Sequence, residues 1–157
     1  MLLGGVEIKG PRIETVVIPF GERELVFKAQ LVRDYVDFDK ICPRPEPSII
    51  VKPGGVKSQD IENPEYKQAL VAYAMKRSAW TILKSLDATP DLVWQTVDRS
   101  NPDTWNNYYK ELEESGLSTT EIVSILDIVQ RSNGLDQDKI DEATKRFLAL
   151  PAGQKES

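Results

Sequence analysis

The residue types with most scope for chemistry lie in Val51-Lys52-Pro53-Gly54-Gly55-Val56-Lys57-Ser58, where two glycines come shortly before a Lys-Ser pair. A phosphate-binding loop needs a glycine directly before the lysine, so that the backbone can curve round the phosphate, with a strand before it and a helix after. Here Val56 intervenes and no helix opens at Ser58, so the segment predicts a Pro-Gly-Gly turn. Carboxylates come in adjacent pairs, Glu113-Glu114 and Asp141-Glu142 among them. Acid–base catalysis needs surroundings that split the pKa values of such a pair, whereas on an amphipathic helix the pair forms a solvated face. The chain has no histidine, and Cys42 is its single cysteine. That removes the base of a serine hydrolase, the basic partner of a reactive thiol and the ligand set of a zinc site. No Asp-x-Asp-x-Asp loop offers calcium a site. The expectation is a protein that is not an enzyme, with no catalytic residue, metal or cofactor. Cys42 then reads as a small buried hydrophobe between Ile41 and Pro43.

Composition narrows the partner. The length of 157 residues suits one domain with a real core. The net charge of −5 argues against a nucleic-acid partner, which calls for a basic surface. That charge is unevenly placed: residues 98–146 hold 11 acidic and 6 basic side chains, so the C-terminal half is an acidic unit suited to a basic partner. Met1 to Gly10 is apolar only briefly before Glu7, which is no signal-peptide core, and no apolar run approaches the ~20 residues of a membrane span. A soluble intracellular protein without a membrane partner is expected.

The elements follow one long segment, Asn63 to Leu86. Asn63 caps, Pro64 suits the first helical position, and no further Gly or Pro interrupts the run. Tyr66, Tyr73 and Trp80 recur at seven-residue spacing with Ala69 and Leu70 beside them. Val71, Met75, Ile82 and Leu86 form a second apolar stripe, with Ala72 and Ala79 between. Two stripes predict a central helix buried on both sides. Upstream, Ile13–Ile18 and Glu24–Gln30 flank Pro19-Phe20-Gly21-Glu22 as a β-hairpin, with Leu25, Phe27 and Ala29 on one face. Asp34 to Ile41 predicts a short helix capped by Asp34, with Tyr35, Phe38 and Ile41 on one face. Residues 43–62 form a Pro-rich arm, in which only Ser48 to Val51 has the makings of a strand.

Downstream, Leu92 to Val97 alternates like a strand or extended edge segment. Three helices then follow. Asn101 and Pro102 open the first, Trp105, Tyr108, Tyr109 and Leu112 mark its stripe, and Gly116 stops it. Ser118-Thr119-Thr120-Glu121 is a capping box for the second, with Ile122, Ile125, Leu126 and Val129 inward until Asn133-Gly134. Asp136 opens the third, with Ile140, Ala143 and Phe147 inward until Pro151. Short connections predict that the three pack as one antiparallel unit on the central helix. The fold class is α+β, mainly α, in one domain of residues 1–150: hairpin and short helix in 1–42, arm in 43–62, helical core in 63–150. Residues 151–157 are expected to be a disordered tail. The candidate partner-binding residues are Trp105, Tyr108, Tyr109, Leu112 and Ile122. Trp and Tyr dominate interface hot spots, while ordinary amphipathic spacing equally suits the protein's own core. Arg77, between Tyr73 and Trp80 on the helix surface, is placed to stack on one of them.

The segments Val16-Val17-Ile18-Pro19, Glu24-Leu25-Val26-Phe27-Lys28-Ala29 and Tyr35-Val36-Asp37-Phe38 carry a resemblance, together with Ala79-Trp80-Thr81-Ile82-Leu83-Lys84-Ser85-Leu86 and the run from Leu117-Ser118-Thr119-Thr120-Glu121-Ile122 to Asn133-Gly134-Leu135. Hairpin, Pro-rich arm, core helix and acidic helical end together resemble a tail assembly chaperone of long-tailed bacteriophages. The resemblance is one of pattern over most of the chain, in a divergent family without a catalytic motif. It implies binding of the tape-measure protein, and then of tail tube protein, during tail assembly in the host cytoplasm, with a homo-oligomer as a further expectation. Many members also make a longer frameshifted product, and Lys155-Glu156-Ser157 looks like the end of a short form. The alternative is a structural component of the virion, such as a tail or connector protein.

Overall fold

A two-residue turn at Gly21-Glu22 sets the register of the first large element in the computed structural model of the chain. Gly21 has φ +62°, the conformation that the first central residue of a type II′ hairpin turn requires. Residues 1–134, 137–151 and 153 are described, with only the backbone for 137–139. Helix outweighs strand, 45% to 18%, so the fold is α+β and mainly α. Its internal packing divides into two compact units: Met1–Leu31, Ser85–Asp91 and Thr120–Ser157 form one, Val32–Lys84 and Leu92–Thr119 the other.

The first unit begins with a small hairpin that the sequence reading did not foresee, β1 (Leu2–Leu3) and β2 (Val6–Glu7) around Gly4-Gly5. The main hairpin pairs β3 (Ile13–Phe20) with β4 (Arg23–Gln30), so Pro19 and Phe20 are in the strand and only Gly21-Glu22 turn. Ile18 stands opposite Leu25 and Val16 opposite Phe27, one face whose Ile18, Phe27 and Ala29 are buried, as the alternation predicted. Thr89 bonds to β4, which among the described residues pairs with no strand but β3. Its Oγ1 accepts the Lys28 N–H and donates to the Lys28 carbonyl, both at 2.9 Å. Helix α4 (Thr119–Asn133) starts directly after Ser118, where the capping signal lies, and buries Ile122, Ile125, Ile128 and Val129. Its end is tied to β4 through Ser85: Asn133 Nδ2 donates to Ser85 Oγ (2.9 Å), and Ser85 Oγ donates to the Gln30 carbonyl (2.7 Å).

Helix α5 (Gln137–Ala149) corrects the sequence reading. Ile140, Ala143 and Phe147, expected inward, are all exposed, and none of the helix's described side chains is buried. Its opening residue Asp136, and all but residues 151 and 153 of the tail expected to be disordered, lie outside the described residues.

The second unit is built on aromatic rings. Helix α1 (Val36–Ile41) places Phe38, fully buried, 5.4 Å from Tyr73, 6.2 Å from Trp80 and 5.9 Å from Trp105, centroid to centroid. The helix starts two residues after Asp34, whose carboxylate reaches only the Val36 N–H at 3.4 Å, and Ile41 is exposed rather than packed. The Pro-rich arm holds a three-residue hairpin, β5 (Ile49–Val51) with β6 (Lys57–Gln59), closed by the expected Pro53-Gly54-Gly55 turn. Gly54 and Gly55 take φ of +94° and +77°, and Lys52 N–H bonds the Val56 carbonyl at 2.8 Å.

Helix α2 (Pro64–Leu86) is capped as foreseen: Asn63 Oδ1 accepts from the N–H groups of Glu65 (2.8 Å) and Tyr66 (3.3 Å). Its two stripes are not equivalent. Tyr66, Ala69, Leu70 and Tyr73 are half-buried, whereas Val71 and Met75 face solvent, and only from Ala79 to Leu86 is the helix largely enclosed. Arg77 stacks on Tyr35 at 4.2 Å, neither on Tyr73 nor on Trp80.

Leu92 to Val97 forms no strand. In place of a neighbouring strand, the Glu111 carboxylate accepts the N–H groups of Gln95 (3.0 Å) and Thr96 (2.6 Å), which fixes the segment as irregular chain. The helix expected from Asn101 is split in two. Asn101 Oδ1 caps a 3-10 turn, Pro102–Thr104, at the Asp103 N–H, and α3 (Asn107–Glu114) follows, ended by Gly116 at φ +88°. Helix α3 thus belongs to the second unit, and α4 and α5 to the first.

Candidate interaction surface

The features that most resembled reactive sites in the sequence are structural. Val51 to Lys57 is exposed, Ser58 is half-buried within β6 rather than at the start of a helix, and the N–H groups of Lys52 and Gly55 are taken by the Val56 and Lys52 carbonyls. Glu113, Glu114, Asp141 and Glu142 all lie exposed on their helices. Cys42 is half-buried, and burial pushes its thiol pKa up, against a smaller lowering by Lys76, away from the thiolate that reactivity requires. Among the described residues no three His, Cys, Asp or Glu side chains gather as a metal site would need. No helix there is long and apolar enough to cross a membrane.

Of the five candidate contact residues, Trp105 is fully buried at 0% exposure, and Tyr108, Leu112 and Ile122 are buried too. Trp105 Nε1 donates to the Asp98 carbonyl at 3.1 Å, which satisfies the indole inside the fold. These four side chains are spent on internal packing. Tyr109 alone, at 36%, reaches the surface, with its ring edge-on to Tyr108.

One uncovered apolar surface with concave relief lies instead on α2. Val71 (61% exposed) and Met75 (56%) stand one turn apart and floor two adjoining hollows. One, of about 410 Å³, is bounded by Ala74, Ser78 and Ala79, with Asn106 and Tyr108 as its wall. The other, of about 340 Å³, continues along the helix past Ala72, Gln68 and Lys67. Together they make an open groove about 18 Å long, at about 1.5 Å per residue from Lys67 to Ala79. Small side chains keep its floor low. The one charged residue that lines the two hollows is Lys67, which pairs with Glu62.

Spacing alone took Val71 and Met75 for a buried second stripe. The signal that separates them is size: Tyr66, Tyr73 and Trp80 supply bulk to fill a core, while Val71 and Met75 have Ala72, Ala74 and Ser78 around them. The lining is mainly apolar, with Lys67, Gln68, Ser78, Asn106 and Tyr108 as its polar members.

No protein family, curated protein or solved structure matches the chain.

Proposed function

We propose that the chain is a non-enzymatic tail assembly chaperone of a long-tailed bacteriophage. It binds the tape-measure protein and recruits tail tube protein during tail assembly in the host cytoplasm. The observation that carries this reading is the uncovered groove along α2, beside the family-like pattern of the sequence. A tape-measure chain is long and helical and cannot cover its own apolar stripes until the tube forms. A helix laid in the groove would present residues at i, i+3/i+4 and i+7 to Val71 and Met75. Covering the part of each side chain that is still exposed contributes about 1–2 kcal/mol. The acidic balance of residues 98–146 then raises the association rate with a basic segment more than it raises affinity.

Co-expression with the neighbouring tape-measure protein tests the reading. The expected result is a soluble complex with the wild-type chain and none with Met75→Lys at an unchanged melting temperature. A tape-measure protein that is equally soluble with and without this chain, and forms no complex at low salt, overturns it. Recovery of this chain from purified particles would favour the virion-component reading.

A further inference from the structure

We infer that two copies of this chain join edge to edge through strand β3, antiparallel, about a two-fold axis at Thr15. In an antiparallel pair, opposite residues either exchange both hydrogen bonds or point their N–H and C=O groups away from each other. Lys28 directs its N–H and its carbonyl to Thr89, away from β3, and Lys28 stands opposite Thr15. Thr15 therefore points its own N–H and carbonyl outward along the far edge of β3. Ile13 and Val17, each two residues away, do the same. The outer edge of β4 is occupied, since Thr89 takes both groups of Lys28 and Ser85 bonds the Gln30 carbonyl. The edge of β3 is open: no described residue bonds the outward groups of Ile13, Thr15 or Val17, and all three residues are exposed.

An open edge is a template for another strand, and here the best-fitting strand is β3 itself. Pro11 lies two residues before Ile13 and Pro19 two residues after Val17, so the outward donors end at equal distances on either side of Thr15. With Thr15 facing Thr15, Ile13 meets Val17 of the second copy and Pro11 meets its Pro19. Every outward N–H then finds a carbonyl, and the positions without a donor face each other. A slide of two residues sets Ile13 against Pro19 in one direction and Val17 against Pro11 in the other, which leaves a carbonyl of each strand unpaired. Side chains fit the same register. Ile13 (48% exposed) and Val17 (52%) become cross-strand neighbours, a β-branched pair of the kind that stabilises sheets. Glu14, the charge nearest the axis, is already neutralised by Arg12 at 3.3 Å. The product is a four-stranded sheet in place of a two-stranded hairpin, and a two-fold contact of this kind closes at two chains. It uses only this chain and lies on the first unit, whereas the α2 groove is on the second, so it holds or fails independently of any client.

Oxidative cross-linking in a Cys42→Ala background tests the axis and the register. Opposite residues of a hydrogen-bonded pair have Cα atoms about 5.5 Å apart, within reach of a disulfide. Thr15→Cys alone should give a covalent dimer. Ile13→Cys and Val17→Cys should give none alone, because each stands about 13 Å along the strand from its own copy, and should cross-link when mixed. Sedimentation over a concentration series should show the wild-type mass rising from one chain to two. Val17→Lys, a charge on the joining strand, should stay a single chain with an unaltered melting temperature. Val26→Lys, the same change on β4, should associate like the wild type. The inference is overturned by a single-chain mass for the wild type at every concentration up to roughly 1 mM, the weak end of measurable association. It is overturned equally by a Thr15→Cys chain that forms no dimer, by a Val17→Cys chain that dimerises alone, or by Val26→Lys separating the chains as fully as Val17→Lys.

Discussion

Trp80 and Trp105 meet with ring centroids 5.1 Å apart and planes tilted by 50°, although 25 positions separate them in the chain. Both also touch Phe38, so three rings from three segments form one cluster. Trp105→Ala should cost about 3–5 kcal/mol, the range for emptying a large buried aromatic site. Tyr109→Ala should cost about 1 kcal/mol or less, the scale of one aromatic pair. Urea unfolding of the two variants separates them, and equal losses would refute the cluster as the centre of its unit.

In the other unit Ile125 is fully buried on α4. Ile125→Asp would place a carboxylate where nothing pairs with it, at a cost of several kcal/mol against a total stability of about 5–15 kcal/mol. Circular dichroism should report loss of the cooperative transition. A cooperative melt at unchanged temperature would contradict the burial.

The Glu111 clamp makes stability depend on pH. Burial pushes the Glu111 carboxyl up, but the hydrogen bonds from the Thr96 hydroxyl and from the N–H groups of Gln95 and Thr96 together outweigh it and hold the pKa below its ordinary value. The folded value therefore lies under the unfolded one of about 4.3, and the contribution is full above that pH and lost as pH falls through the folded value. Melting temperature should drop on acidification below about pH 4.3. Glu111→Gln should start lower at neutral pH and flatten that drop; an identical profile would dismiss the clamp.

Neither zinc nor ATP with magnesium should move the melting temperature. The Pro53-Gly54-Gly55 turn has the wrong connections for phosphate, and the described residues assemble no metal cluster. A ligand at 100 times its dissociation constant would add about 2.7 kcal/mol, well within reach of a thermal shift assay. A reproducible rise would mean that these residues do converge on a ligand.

Where local chemistry decides, the sequence was readable. The Asn63 cap, the Asn101 cap, the Gly116 stop and the alternation of Leu25, Phe27 and Ala29 all act within a few residues, and the structure has each of them. Leu92 to Val97 went astray because alternation is necessary for a strand but not sufficient. The segment's amides are taken by a carboxylate 15 and 16 positions away, which no period reveals. Val71, Met75, Ile140 and Phe147 went astray for a related reason. Amphipathic spacing says that a face is apolar, and it is silent on whether the cover comes from the same chain.

Met75 gives the groove a chemical vulnerability. Met1 is the only other methionine in the chain, and Met75, 56% exposed, lies at the middle of the apolar floor. Peroxide would convert it to a sulfoxide, putting a polar, chiral group where apolar contact is needed, and a sulfoxide reductase would restore it. Oxidation thus becomes a reversible footprint: whatever lies in the groove shields a single sulfur, and the mass of one peptide reports occupancy.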